Sequence, residues 1–189
     1  MKKSLMFYLL LIISGNSAIC QDLPKNSLGI SLGVTPSIND MYFGEPWDFY
    51  PNREISPVYN VFYMHRLITF VRAGIYAEHE KVRFSDQSGA NLHSFRRNNI
   101  GLIVIAHFPE KPFHLQLGGY LGYGYLRADN WTDLYGFDAG GLFGPAFENN
   151  KLGIALHIQS GYGGYKSDGT PEEVKLYNPR LLLKGYLRF

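Results

Sequence analysis

An all-β chain, folded as an eight-stranded antiparallel up-and-down transmembrane β-barrel, is predicted by three observations. About eight segments alternate apolar with polar or small residues, each near the roughly 9–11 residues a tilted membrane strand needs. The connections between them alternate in length, short then long. In the last segment Leu181, Leu183, Gly185, Leu187 and Phe189 share one parity and Arg180, Leu182, Lys184, Tyr186 and Arg188 the other. In a strand those sets point to opposite faces, one apolar and one mostly charged.

Residues 1–20 read as a signal peptide and 21–189 as the barrel domain. Lys2 and Lys3 precede an apolar run from Leu5 to Ile13, and Ala18-Ile19-Cys20 before Gln21 supplies the small residues of a cleavage site. The run is shorter than the roughly 20 residues of a spanning helix. Cys20 is the sole cysteine, so no intrachain disulfide forms. Ser17 to Cys20 is also similar to a lipoprotein processing box, but Ile19 stands where that box takes a small residue, and ordinary cleavage is the expectation.

The first strand spans about Ser27 to Thr35, with Leu28, Ile30, Leu32 and Val34 on one face. The second, about Pro57 to Arg66, is apolar on both faces, which leaves its orientation open. In the third, Phe70 to Glu80, Val71, Ala73, Ile75 and Ala77 oppose Arg72, Gly74, Tyr76 and Glu78. The fourth, about Phe95 to Phe108, turns Ile100, Leu102, Val104, Ala106 and Phe108 to lipid. The fifth, Phe113 to Leu126, keeps His114, Gln116, Gly118, Tyr120, Gly122 and Gly124 inward. The sixth, Tyr135 to Phe147, sets Tyr135, Phe137, Ala139 and Phe143 against Gly136, Asp138 and Gly140. The seventh, Leu152 to Tyr162, turns His157 and Gln159 inward, and the eighth runs from about Leu176 to Phe189.

Arg66 to Thr69, Pro109 to Pro112 and Glu148 to Lys151 are short turns, whereas Ser37 to Ser56, Lys81 to Ser94, Arg127 to Leu134 and Lys166 to Lys175 are longer and more polar. Membrane barrels keep short turns inside the envelope and long loops outside, which puts both termini on the inner side. Two sets of rings with lipid-facing parity agree. Tyr123, Tyr125, Tyr135, Tyr162 and Tyr177 lie beside the long loops, and Phe108, Phe113, Phe143, Phe147 and Phe189 toward the short turns. A soluble sandwich or lipocalin-like barrel would turn its apolar face inward and would need no such paired girdles. Gly 21, Tyr 14 and Phe 13 suit a narrow barrel with aromatic belts. The slightly negative mean hydropathy excludes a helical membrane protein. A net charge of +2 without a basic run gives no reason to expect nucleic acid.

On this pattern and the terminal Phe189, the chain resembles the small bacterial outer-membrane β-barrel domain family, OmpA- and OmpX-like and porin-like in character. The resemblance implies residence in the cell outer membrane, after export through the periplasm, among outer-membrane lipids and lipopolysaccharide. It makes Phe189 an assembly signal for the β-barrel assembly machinery. Functions in the family range over anchoring, adhesion, passage of small molecules and lipid modification. The expected one is a non-enzymatic role in envelope structure or surface interaction through extracellular loops. The alternative is a narrow channel or a small-molecule- or lipid-binding barrel, with a lipid A-modifying enzyme third.

The residues narrow this further. Arg72, Glu78, His114, Asp138, His157, Arg180 and Lys184 share inward parity, and a narrow lumen does not tolerate unpaired charge. They are expected to form a polar network that plugs the barrel, with Arg72, Arg180 and Lys184 pairing with Glu78 and Asp138; the competing reading is a gated pore or proton path. His157-Ile158-Gln159-Ser160 resembles the His and Ser of outer-membrane lipid A deacylases. There the two are two residues apart and share a face, whereas a separation of three puts His157 inside and Ser160 outside. The six histidines lack paired ligand spacing, and Asp129 to Asp133 lacks the glycine and distal glutamate of a calcium loop, so neither metal nor cofactor is expected. The first long loop carries Tyr42, Phe43, Trp47, Phe49 and Tyr50 beside acidic groups, rings suited to an unidentified surface partner or to capping the barrel mouth.

Overall fold

The computed structural model describes residues 24–36, 41–43, 52–85, 92–108, 112–128, 133–166 and 173–189, and all the elements below lie within them. Seven long strands run in chain order: β1 (Asn26–Thr35), β4 (Ser56–Ile68), β5 (Val71–Ser85), β6 (Leu92–Phe108), β7 (Phe113–Ala128), β8 (Leu134–Glu148) and β9 (Leu152–Lys166). The eighth stave is composite, made of β10 (Glu173–Tyr177) and β11 (Arg180–Arg188). Two short strands, β2 (Met41–Phe43) on β10 and β3 (Asn52–Arg53) on β5, fall in the segment expected to be the first long loop.

Every neighbour pair is antiparallel, and the wall closes because β11 pairs with β9 on one side and β1 on the other. The closing ladder runs from Ser27 opposite Arg188 to Val34 opposite Leu181, and Asn26 and Phe189 exchange backbone hydrogen bonds of 2.8 and 3.0 Å. This is the predicted eight-stranded up-and-down barrel.

The structure corrects two boundaries and supplies one orientation. The eighth strand is not continuous, because Pro179 donates no hydrogen bond. Asn178 N–H bonds to Gly161 of β9, so alternation turns the missing donor of Pro179 toward β1, which has ended at Thr35. Proline is tolerated at a place where no acceptor awaits. The expected loop from Lys81 to Ser94 is largely strand, since Val82 to Ser85 pair with Phe95 to Leu92. In β4, the strand left without an orientation, Tyr59, Val61 and Tyr63 face out and Val58, Phe62 and Met64 face in.

Apolar and polar positions are inverted relative to a soluble barrel. Leu28, Ile30, Ile75, Ile100, Leu102, Leu117 and Leu183 are exposed outside, while Arg97, Glu80, Asp138 and His157 are fully buried inside. All ten rings of the two expected girdles are exposed, with Phe113 at 68%. The lumen is layered, as the inward positions of β5 show in sequence: Arg72 near the short turns, then Tyr76, then Glu78 and Glu80, then Val82. Tyr76 belongs to an apolar layer with Phe62, Ile103, Ile105, Tyr120, Leu142 and Tyr186, and Val82 to one with Phe95, Leu126, Leu134, Tyr165 and Leu176. Glycines opposite the large rings make room for them. A Cβ on Gly153 would overlap the Tyr186 ring, and one on Gly161 the Tyr120 hydroxyl.

Candidate functional site

Two charged layers occupy the lumen. In the layer toward the long loops, Arg97 of β6 is central: its guanidinium lies 2.8 Å from Glu78, 2.7 Å from Glu80 and 3.1 Å from Asp138. Arg180 adds a second guanidinium, 2.8 Å from Glu78, 3.4 Å from Glu80 and 3.7 Å from Asp138. Asn99 donates to Asp138 at 3.1 Å and Thr35 to Glu80 at 2.6 Å, so the carboxylates also have neutral donors. Lys184, its Nζ 5.3 Å from the Phe62 ring centre, borders this layer closely enough for its charge to act on Glu78, a third cation against three carboxylates. Balance of this kind is what a medium of low dielectric demands, because a single unpaired ion there costs several kcal/mol, roughly.

The layer at the short-turn end is built on Glu148. Arg72 forms a two-pronged bridge to it at 2.7 and 2.8 Å, Arg188 approaches at 3.1 Å, and the Tyr186 hydroxyl donates to the same carboxylate. Gln116 Nε2 lies 3.3 Å from that carboxylate, and its Oε1 meets His157 Nε2 at 2.8 Å. His107 Nδ1 and His114 Nε2 lie 2.9 Å apart beside them.

The expected pairing is therefore corrected in two respects. Arg72 pairs with Glu148 and not with Glu78 or Asp138, because Glu78 lies in the other layer, beyond Tyr76. Lys184 stacks on Phe62 and makes no ion pair among the described residues. Arg180 does meet both Glu78 and Asp138. Sequence reasoning passed over Arg97, Glu80, Glu148, His107 and Arg188. Parity alone marks all five as inward, since Arg97 and His107 alternate with the lipid-facing Ile100 to Phe108 series, Glu148 follows the outward Phe147, Glu80 shares the face of Glu78, and Arg188 that of Arg180 and Lys184. Glu80 and Glu148 were passed over because they sit where strand was expected to give way to loop or turn.

The fold also joins two histidines that sequence spacing leaves apart. His107, His114 and Glu148 bring three ligand-type atoms within 4.8 Å of one another. The carboxylate of this trio is already neutralised by Arg72 and Arg188, so a dication there would face two guanidiniums. His157 and Ser160 lie on opposite faces of β9, with Ser160 outside and donating to the Tyr177 hydroxyl at 3.0 Å. No base therefore reaches that hydroxyl from inside. Trp47, Phe49 and Tyr50 lie outside the described residues, and Tyr42 and Phe43 are described only as backbone in β2.

On the outer wall, the strand ends near the long loops carry cations. Lys81 pairs across the sheet with Arg96, and Arg96 with Arg127, all three exposed. Arg127 follows Tyr125 of the tyrosine girdle by two residues on the same face of β7. A groove of about 500 Å³ beside it is lined by Tyr123, Tyr135, Phe137, Ala139, Tyr162 and Lys166, with Gly136 and Gly164.

An apolar exterior around a closed, ion-paired lumen defines an eight-stranded barrel of the outer-membrane type. Comparison of structures gives the same answer. The chain is similar to Neisserial surface protein A, NspA, with a TM-score of 0.58 and 14% identity over 87% of this chain and 96% of that one. It is also similar to the outer membrane protein OprG of Pseudomonas aeruginosa, with a TM-score of 0.53 and 10% identity over 89% of this chain and 98% of that one. No protein-family model and no curated protein matches the sequence.

Proposed function

We propose that the chain is a non-enzymatic outer-membrane protein whose barrel is a plugged anchor and whose long-loop end, facing outward, contacts the surroundings of the cell. The observation that carries this reading is the occupied lumen. Among the described residues, two charged layers and the apolar layers between and beyond them fill the lumen with buried side chains, while the exterior presents an apolar band with aromatic rims. The similar structures NspA and OprG, described respectively as a surface protein and an outer membrane protein, support the location. Residues 1–20 then direct export, and Phe189, exposed at the end of the outward series of β11, is the residue the assembly machinery reads. Lipids and lipopolysaccharide surround the wall, and Tyr42, Phe43, Trp47, Phe49 and Tyr50 are the loop positions offered to a surface partner.

The test is made in fractionated cells. The full chain is expected in the outer membrane, in a form that migrates differently on gels before and after boiling, because a closed wall has no edge strand to fray. Deletion of Phe189 should deplete that form, and serine at the five loop aromatics should leave it intact while reducing surface binding. Normal assembly of the deletion would remove Phe189 as the signal. A lumenal hydrolytic activity toward membrane lipid would overturn the non-enzymatic reading.

A further inference from the structure

Cross-strand partners of like charge repel when they stand directly opposite, and a protein that keeps three in a row has a reason to. Lys81, Arg96 and Arg127 form such a row on β5, β6 and β7, and all three point outward. Among the described residues the one carboxylate in salt-bridge range of the row is Asp133, 3.5 Å from Arg127, in a pair whose arginine side chain is 64% exposed. So exposed a pair contributes little and leaves most of the row's field in place.

The surroundings of the row are amphipathic. Tyr125 and Tyr123 continue the outward face of β7 into the apolar band. Tyr123 is also one wall of the groove of about 500 Å³, whose other walls are Tyr135, Phe137, Ala139 and Tyr162 and whose edge carries a further cation, Lys166. Small side chains make the groove: Ala139 is flanked across the sheet by Leu121 and Tyr162, so the larger neighbours stand above it. The surface thus joins an apolar trough of about 500 Å³ to cations standing where the band ends.

We propose that this face is a binding site for lipopolysaccharide, with the phosphates of its headgroup on Lys81, Arg96, Arg127 and Lys166 and an acyl chain in the groove between β7 and β9. The inference rests on the outward orientation of the long-loop end proposed above. Cations at a membrane surface attract anionic headgroups, and the charge alone would suit any phospholipid phosphate. Four cations spread over β5 to β9 suit a broad headgroup bearing more than one phosphate, and the outer leaflet is where the row stands.

The purified full barrel in zwitterionic detergent is titrated with lipopolysaccharide, in parallel with Lys81→Gln/Arg96→Gln/Arg127→Gln and with Lys25→Gln/Lys151→Gln at the short-turn end. All five residues are exposed, and the boiling-dependent gel shift reports folding for each variant. The triple variant should bind roughly 100-fold more weakly, about fivefold per cation, with a shallower salt dependence, and the control should bind as the unaltered barrel does. Equal affinity of the triple variant, or an equal loss in the control, overturns the proposal. Phosphatidylglycerol offered in place of lipopolysaccharide should bind more weakly, and equal binding overturns the choice of lipid. Failure of the orientation is read separately: in a Cys20-free background, a cysteine introduced by Lys81→Cys is labelled by an impermeant reagent on intact cells only if the long-loop end faces outward.

Discussion

At the residue scale the lumen depends on stoichiometry more than on any one bridge. Arg97 touches all three carboxylates of its layer. Arg97→Met would leave Glu78, Glu80 and Asp138 with two cations, and should destabilise the barrel by about 3–5 kcal/mol. Adding Glu80→Met should recover a large part of that loss, a coupling readable by urea titration of the gel-shifted form. The glycines divide as sharply. Gly153→Ala drives a methyl into the Tyr186 ring and should cost about 1–3 kcal/mol, whereas Gly185→Ala, outward and with nothing within 4 Å, should be neutral in the same titration. Much of this residue scale was legible. Parity puts Arg72, Glu78, His114, Asp138, His157, Arg180 and Lys184 on the inward set, and the structure finds each of them buried. Partner choice was not legible, since it depends on height along the barrel, which follows from how each strand is staggered against the next. Arg72 and Glu78 share a strand and a face, yet the Tyr76 layer lies between them.

At the scale of elements the sequence showed which face each strand turns to lipid, and β4 is the instructive exception. Its two faces are both largely apolar because Val58, Phe62 and Met64 are buried in the lumen, the last two in the apolar layer of Tyr76, while Tyr59, Val61 and Tyr63 serve the exterior. Alternation reports polarity, so it has nothing to report where both surroundings are apolar. Strand length was the other failure, because the charged outward residues of Lys81 to Ser94 read as loop while they still pair. Seventeen residues in β6, at ~3.3 Å each and a tilt near 45°, rise roughly 40 Å, against an apolar band of about 25 Å. The wall therefore continues beyond the hydrocarbon, and that excess carries Lys81, Arg96 and Arg127. With Cys20 removed, a spin label at Lys81→Cys should be relaxed by a water-soluble reagent, and one at Leu102→Cys by a lipid-soluble reagent. Equal access of both labels to water would contradict this height.

At the scale of the whole molecule, the layered lumen predicts electrical silence. Planar bilayers containing the protein should show no steady conductance, and a large, sustained current would contradict the plug and favour a channel. Closure has a second effect. The wall is sealed by hydrogen bonds between β1 and β11, the two barrel elements farthest apart in the chain. A growing polypeptide cannot make that seam until β11 has been synthesised, so every shorter length presents two raw edges and an apolar outer face at once. Contacts of such long sequence separation are also slow to form. The order of events is thus imposed by geometry: β11 must be made before the seam can form, and the ring shuts last.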